Sequence, residues 1–271
     1  MPEPKKQSMS VECTGMSEKL RTLSPKLVEI AREAGHLIMG YYEKTVSVEI
    51  KGDQSPVTEV DIASNKLIIK RLSEITPEIP VVAEESDNTI HTQDMPTLFW
   101  LVDPLDGTKS FIKRTGEFTV NIGLVENRRP VMGVVYIPVK KEIYYTGADG
   151  RAYFAPDGGA PKKIEARRPP KEGLTVVASA AHRSPETDEY IKTLHVNKFH
   201  PASSSLKFCV IARGDADIYP RFGPTMEWDT AAGQAVLEAA GGQVHTVEEK
   251  PFLYGKEGFR NGYFIARGKS V

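Results

Sequence analysis

The spacing of apolar residues along the chain changes period several times, and each change marks an element. Leu27, Ile30, Ala31, Ala34, Leu37, Ile38 and Tyr41 recur at helical spacing behind Ser24-Pro25. That pair has the form of an N-cap followed by a first-turn proline, so an amphipathic helix is expected to open at Ser24. Val46, Val48 and Ile50 alternate as in a strand, and Lys51-Gly52-Asp53-Gln54-Ser55-Pro56 breaks it. A second helix is expected from near Thr58 to about Ile75, with Leu67, Ile68 and Leu72 inward and Asp61 in the first turn, facing the helix N-terminus. Pro80-Val81-Val82-Ala83 and Trp100-Leu101-Val102 read as short buried strands, and both end in acids: Glu84-Glu85 and Asp103. Phe118 to Val125 and Val131 to Ile137 predict a hairpin, and Ile143 to Tyr145 with Arg151 to Phe154 predict another around Asp149-Gly150.

From Ala155 to Pro170 the chain is rich in Pro, Gly and Lys, which marks a surface excursion or a boundary. Beyond it the rhythm is that of a layered α/β unit: a strand at Leu174 to Ala178, helices at Pro185 to Leu194 and Ser203 to Arg213, and a strand at Ala216 to Tyr219. Asp229 stands where an N-cap would open a helix through Val236, Leu237 and Ala240, closed by Gly241-Gly242. The expected division is a loose tail over 1–16, an α+β half over 17–156 and an α/β half over 157–271.

With 271 residues the chain can bury a large core, as one domain or two closely packed ones. Its 40% hydrophobic and 26% charged residues set aside disordered and fibrous classes. A net charge of −1, with no dense cluster of Lys and Arg, argues against a nucleic-acid partner. Cys13 and Cys209 are too few and too far apart for a disulfide framework or a zinc cluster, and Cys209 in its apolar run reads as a small buried side chain. No secretory apolar segment opens the sequence, and no run of about 18 apolar residues occurs in it. A cytoplasmic protein without stable membrane insertion is expected, with peripheral association at the inner membrane left open.

The stretch from Trp100 to Lys109 carries the chemistry. It sets Asp103 and Asp106 three residues apart across Pro104, then turns through Gly107-Thr108. Two acids leaving a buried strand repel each other and resist desolvation, and a divalent cation between them is the simplest remedy. Gly107 lets the backbone come close, and Thr108 at a helix start offers N–H groups and a hydroxyl to an anion. Metal and phosphate together suggest phosphoryl chemistry. An ordinary Pro-x-Asp-Gly turn also accounts for these residues taken alone. The Asp-x-Asp-Gly-Thr loop of haloacid-dehalogenase phosphatases fits less well, because its aspartates are two apart and share one side of the chain. No Walker loop occurs. A water nucleophile held by metals fits best.

Glu84-Glu85-Ser86, then Trp100 to Thr108, then Trp228-Asp229-Thr230-Ala231-Ala232-Gly233 together resemble the inositol monophosphatase superfamily of metal-dependent, lithium-sensitive phosphatases. The likeness runs from about Leu23 to Ala266 and implies that superfamily's layered α-β-α-β-α sandwich, a fold of mixed α+β and α/β character. Longer runs are similar to its 3′(2′),5′-bisphosphate nucleotidases: Ser55-Pro56-Val57-Thr58 before Asp61, Gly116 to Ile122, Ser204-Ser205-Leu206-Lys207-Phe208, and Tyr219 to Thr225. Those enzymes convert 3′-phosphoadenosine 5′-phosphate, a by-product of sulfotransfer, to AMP and phosphate.

The resemblance implies that Glu84, Asp103, Asp106, Asp229 and the Leu105 carbonyl hold two or three magnesium ions, an all-oxygen set suited to a hard cation. It gives catalysis to Glu84 and to Asp61 with Thr108, which would polarise the attacking water. The scissile phosphate would lie among Leu105, Asp106, Gly107, Thr108 and Asp229. Ser204, Lys207 and Arg221 are candidates for the nucleotide's other phosphate or sugar, a solvated surface role being the alternative for each. His182, after Ser179, is a candidate to border the nucleoside. Ser110 departs from close relatives, which often have glutamate there. The expected partner is a small phosphorylated nucleotide, with oligomeric state open. An inositol or sugar monophosphatase, and a non-catalytic phosphonucleotide binder, are the alternatives.

Overall fold

The computed structural model describes residues 20–44, 46–51, 56–86, 95–178 and 183–270. The tail over 1–16 with Cys13, Ser55 of the nucleotidase-like run, and Ser179 with His182 lie outside the described residues. In chain order the elements are α1 (Ser24–Tyr42), β1 (Val48–Ile50), β2 (Pro56–Thr58), α2 (Glu59–Ile75), β3 (Val81–Ala83), β4 (Leu98–Asp106), α3 (Thr108–Ile112), β5 (Thr119–Glu126), β6 (Arg129–Ile137), β7 (Glu142–Thr146), β8 (Ala152–Ala155) and β9 (Lys162–Lys163). After these come β10 (Leu174–Ala178), α4 (Pro185–Lys192), β11 (Val196–Pro201), α5 (Leu206–Ala212), β12 (Ile218–Arg221), α6 (Ala231–Ala239), β13 (Gln243–Thr246) and β14 (Phe264–Arg267).

Strands β3 to β9 form one seven-stranded sheet in sequence order, antiparallel except for the parallel pair β3 and β4. A second, five-stranded sheet has the order β11-β10-β12-β14-β13. The apolar clusters define the layers. Leu27, Ile30, Ile38, Ile68 and Leu72 of α1 and α2 pack on Trp100, Val102, Val120, Ile122 and Val134, one face of the first sheet. The opposite face, through Phe99, Leu101, Val125 and Val135, shares a core with α5, α6 and the inner face of the second sheet. Val176, Ile218 and Ile265 on the outer face of that sheet meet Ile191 of α4. The order of layers is therefore α, β, α, β, α, as the resemblance implied.

A paired position in the first sheet brings the layers close. Gly123 and Gly133 face each other across β5 and β6. A Cβ at Gly133 would lie 2.8 Å from Ala232 Cα, and one at Gly123 would lie 2.9 Å from the Ala232 nitrogen. Only bare backbone leaves room for the start of α6 to rest directly on the sheet.

Several local expectations are corrected. Ser24 does not cap α1: it is buried inside the first turn and donates its hydroxyl to the Thr146 carbonyl at 2.7 Å, tying the helix to β7. Strand β1 forms, but all its residues are exposed, so the alternation there reports pairing with β2 and not a buried face. Asp229 is not the N-cap of α6; Thr230 is, without a side-chain cap bond. The Gly241-Gly242 stop is as expected. Gly241 at φ +87° and its neighbour return their N–H groups to the Glu238 and Leu237 carbonyls at 2.9 and 3.0 Å.

Candidate active site

Two strands and a register shift assemble the first acids. Ala83 of β3 lies opposite Val102 of β4, and the Glu84 N–H donates to the Val102 carbonyl at 3.1 Å, which delivers Glu84 alongside Asp103. In β4 the odd positions Phe99 and Leu101 face α6 while Trp100 and Val102 face α1 and α2, so Asp103 continues the α6 face. A regular strand would turn Asp106 to the opposite side. It does not, because Asp103 pairs with Asn121 and Asp106 with Thr119: three steps on β4 span two on β5. This bulge brings both carboxylates to one face.

Asp229 arrives from the other side, on the turn before α6. One oxygen from each of Glu84, Asp103 and Asp229 lies within 4.8 Å of the others. Burial, and then the charges of Glu84, Asp106 and Asp229, push the Asp103 carboxyl well above the usual carboxylate range. Burial and then Asp106 do the same to Asp229. Burial raises Glu84 to about 7, opposed by Lys51 and reinforced by Glu85 and Asp106. Burial also raises Asp106, against the nearby Lys207. Each carboxylate thus makes the others harder to ionise, and a cation held among them reverses that cost. Four converging carboxylates without Cys or His fit a hard, oxygen-seeking ion.

Asp61 serves two neighbours. Its Oδ2 accepts from the Thr58 N–H at 2.8 Å and the Thr58 hydroxyl at 2.5 Å, closing a capping box on α2. Its Oδ1 accepts from the Thr108 hydroxyl at 2.8 Å, a shorter and charge-assisted alternative to the Leu105 carbonyl at 3.3 Å. The cap expected of Asp61 and its pairing with Thr108 coexist. Gly107 makes the turn between Asp106 and Thr108 at φ +101°, and a Cβ there would lie 2.9 Å from Ser204 Oγ.

Asp106 Oδ2 accepts from the Ser205 N–H at 2.8 Å and, at 3.4 Å each, from Thr119 Oγ1 and Asn121 Nδ2. The Lys207 ammonium is buried, donates to the Ser204 carbonyl at 2.9 Å and lies 5.1 Å from the centre of the Tyr219 ring. Burial lowers its pKa to about 8, with Asp106 opposing and Arg221 adding to the fall. A cleft of about 330 Å³ opens between Asp106 and Asp229, and Ser204, Lys207 and Arg221 line it. A second cavity, of about 310 Å³, continues past Lys207, Tyr219 and Arg221.

All the sequence-derived candidates within the described residues therefore converge on one region; Lys207 is buried there, and Ser204 and Arg221 are half-buried on the wall of the cleft. Sequence reasoning missed Lys51, whose ammonium lies 3.1 Å from Glu84 and 2.6 Å from Glu85. It missed Thr58, Ser205, Thr119 and Asn121 as partners of the acids. For Thr119 and Asn121 a signal existed: two polar residues at alternate positions of an otherwise apolar strand. Among the described residues no helix is long and apolar enough to cross a membrane.

This chain belongs to the inositol monophosphatase family, whose sequence profile matches residues 19–263. Its similarity to individual proteins is more specific. It is 45% identical over 244 residues to the 3′(2′),5′-bisphosphate nucleotidase CysQ of Escherichia coli K12, covering 88% of this chain and 97% of that protein. It is 46% identical to the CysQ of Salmonella typhimurium, with the same coverage. The crystal structure of CysQ from Bacteroides thetaiotaomicron, a bacterial member of the inositol monophosphatase family, superposes with a TM-score of 0.77 at 36% identity, covering 97% of this chain and 99% of that one.

Proposed function

We propose that the protein is a magnesium-dependent 3′(2′),5′-bisphosphate nucleotidase that hydrolyses 3′-phosphoadenosine 5′-phosphate to AMP and phosphate. The observation that carries this is the meeting of Glu84, Asp103 and Asp229, from three separate segments, beside a cleft lined by Lys207 and Arg221. The likeness to nucleotidases over 88% of the chain supports the choice of substrate. Glu84, Asp103, Asp106, Asp229 and the Leu105 carbonyl are the residues that would hold two or three ions. Magnesium bound there supplies positive charge to the phosphoryl group and acidity to water.

The chain's own residues supply the rest. Thr108 Oγ1 gives its proton to Asp61 Oδ1, which leaves its lone pairs to accept a proton from the attacking water. The water oxygen bonds to the 3′-phosphorus as the P–O3′ bond breaks, the proton lost by the water is held by the Thr108–Asp61 pair, and the 3′ oxygen of AMP takes up a proton from solvent water. The Gly107 and Thr108 backbone N–H groups grip the phosphate, while Ser204, Lys207 and Arg221 hold the nucleotide's other end. The half over 17–156 then forms one wall of the cleft with most of the acids, and the half over 157–271 forms the other with Asp229 and the cationic groups. A cytoplasmic location goes with this reading.

Purified protein should release phosphate from 3′-phosphoadenosine 5′-phosphate with magnesium and lose the activity with chelator or lithium. Faster turnover of inositol 1-phosphate than of the bisphosphate would overturn the assignment.

A further inference from the structure

Asp229 reaches the acid cluster by a less supported route than its partners. Glu84 and Asp103 are carried by hydrogen-bonded strands, whereas Asp229 sits on the turn over 225–230. Among the described residues the Met226 N–H, which donates to Asp229 Oδ2 at 2.8 Å, is the one hydrogen-bond donor to that carboxylate. The turn is held from behind by the segment over 254–261. Asn261 Nδ2 donates to the Met226 carbonyl at 2.7 Å, and the Glu227 N–H donates to the Phe259 carbonyl at 2.8 Å.

At the centre of this junction is a charge. Glu227 is fully buried, at 0% exposure. Its Oε2 accepts from the Gly255 N–H at 2.8 Å, and its Oε1 accepts from the Lys256 N–H at 2.9 Å and lies 2.8 Å from the Lys256 ammonium. A buried ion pair adds little net stability over well-packed apolar side chains, because desolvation offsets the attraction. Its distinctive property is direction: three donors fix both oxygens and hence the orientation of the turn. Asp229 stands two residues further on.

We propose that Glu227, gripped by Gly255 and Lys256, is a positioning residue that sets Asp229 at the separation from Glu84 and Asp103 that cation binding requires. This rests on the metal reading of the acid cluster. Groups that orient a metal ligand are typically worth about 10- to 100-fold in metal affinity.

The test is Mn²⁺ binding to the full chain by calorimetry, with Mn²⁺ as the probe. Glu227→Gln keeps the volume but turns one acceptor into a donor that faces the donors of Lys256. It should weaken Mn²⁺ binding about tenfold or more, with kcat recovering toward the unsubstituted value at saturating metal. In an Asp229→Asn background the same change should weaken binding no further, since the two act on one ligand. Lys256→Met, which leaves both backbone donors to Glu227, should weaken Mn²⁺ binding in the same direction and carries the test if Glu227→Gln does not fold. Unchanged affinity in Glu227→Gln and Lys256→Met, or a loss that adds in full to that of Asp229→Asn, would overturn the proposal. A chain that binds Mn²⁺ yet releases no phosphate from the nucleotide refutes the substrate reading and leaves this one standing.

Discussion

At Asp61 the two oxygens of one carboxylate have separate tasks, and substitution at their partners separates them. Thr108→Val keeps the shape of the side chain and the cap on α2 but removes the hydroxyl that donates to Oδ1. Steady-state kinetics should show kcat reduced by about 100-fold or more with KM little changed, and thermal unfolding should shift by no more than about 1 kcal/mol of stability. Lys207 gives a pH signature. Burial lowers its pKa to about 8, so its ammonium loses a proton as pH rises through that value and its attraction for a phosphate goes with it. KM for the bisphosphate should therefore climb above about pH 8, and Lys207→Arg should flatten the climb because a guanidinium stays charged. The acids were legible from sequence because they sit in short motifs with turn residues around them. Ser205 and Glu227 were not, since a backbone N–H aimed at Asp106 and a buried carboxylate in a tertiary junction leave no mark on local pattern.

At the scale of elements, the bulge in β4 and the glycine pair under α6 set where the acids point. Counting residues along a regular strand would place Asp103 and Asp106 on opposite faces, and the pairing with Asn121 and Thr119 shows why they share one. Gly133→Ala tests the second feature. The new methyl would press on backbone atoms of Ala232, which cannot rotate away, so α6 must move outward. A stability loss of about 1–3 kcal/mol is expected from overpacking, together with weaker Mn²⁺ binding; a variant that keeps full metal affinity would show that the contact does not set Asp229. Helices α1, α2 and α6 were readable because their apolar stripes are long. β11, β13 and β14 were not: β11 buries no residue fully, β13 buries only Val244, and all three are defined by neighbours remote in sequence. Ser24 misled because its local pattern is that of a cap, while the Thr146 carbonyl offers its hydroxyl a tertiary partner.

For the whole molecule, the acid cluster should make stability depend on pH and, if it takes up an ion, on metal as well. Glu84, Asp103 and Asp229 all hold protons more tightly in the folded chain than in the unfolded one. Without metal, their contribution is fully present below the unfolded values of 3.8 for Asp and 4.5 for Glu and is lost as pH rises through the higher folded values, about 7 for Glu84. Magnesium needs the ionised cluster, so it should offset that loss. Melting temperatures at pH 5 and pH 8, with chelator and with magnesium, should show a larger magnesium-induced rise at pH 8. An equal rise at both would mean that the cluster does not take up the ion.

The glycines at 123 and 133 carry one more implication. Where α6 lies on them, main chain rests on main chain, and no rotamer stands between the layers to yield by a few tenths of an ångström. The start of α6 therefore has a fixed seat on the sheet, and the turn over 225–230 that carries Asp229 leads into that seat. Calcium prefers oxygen distances roughly 0.3–0.5 Å longer than magnesium, so an ion of that size among the acids would have to be met by movement of the turn over 225–230 and not of α6.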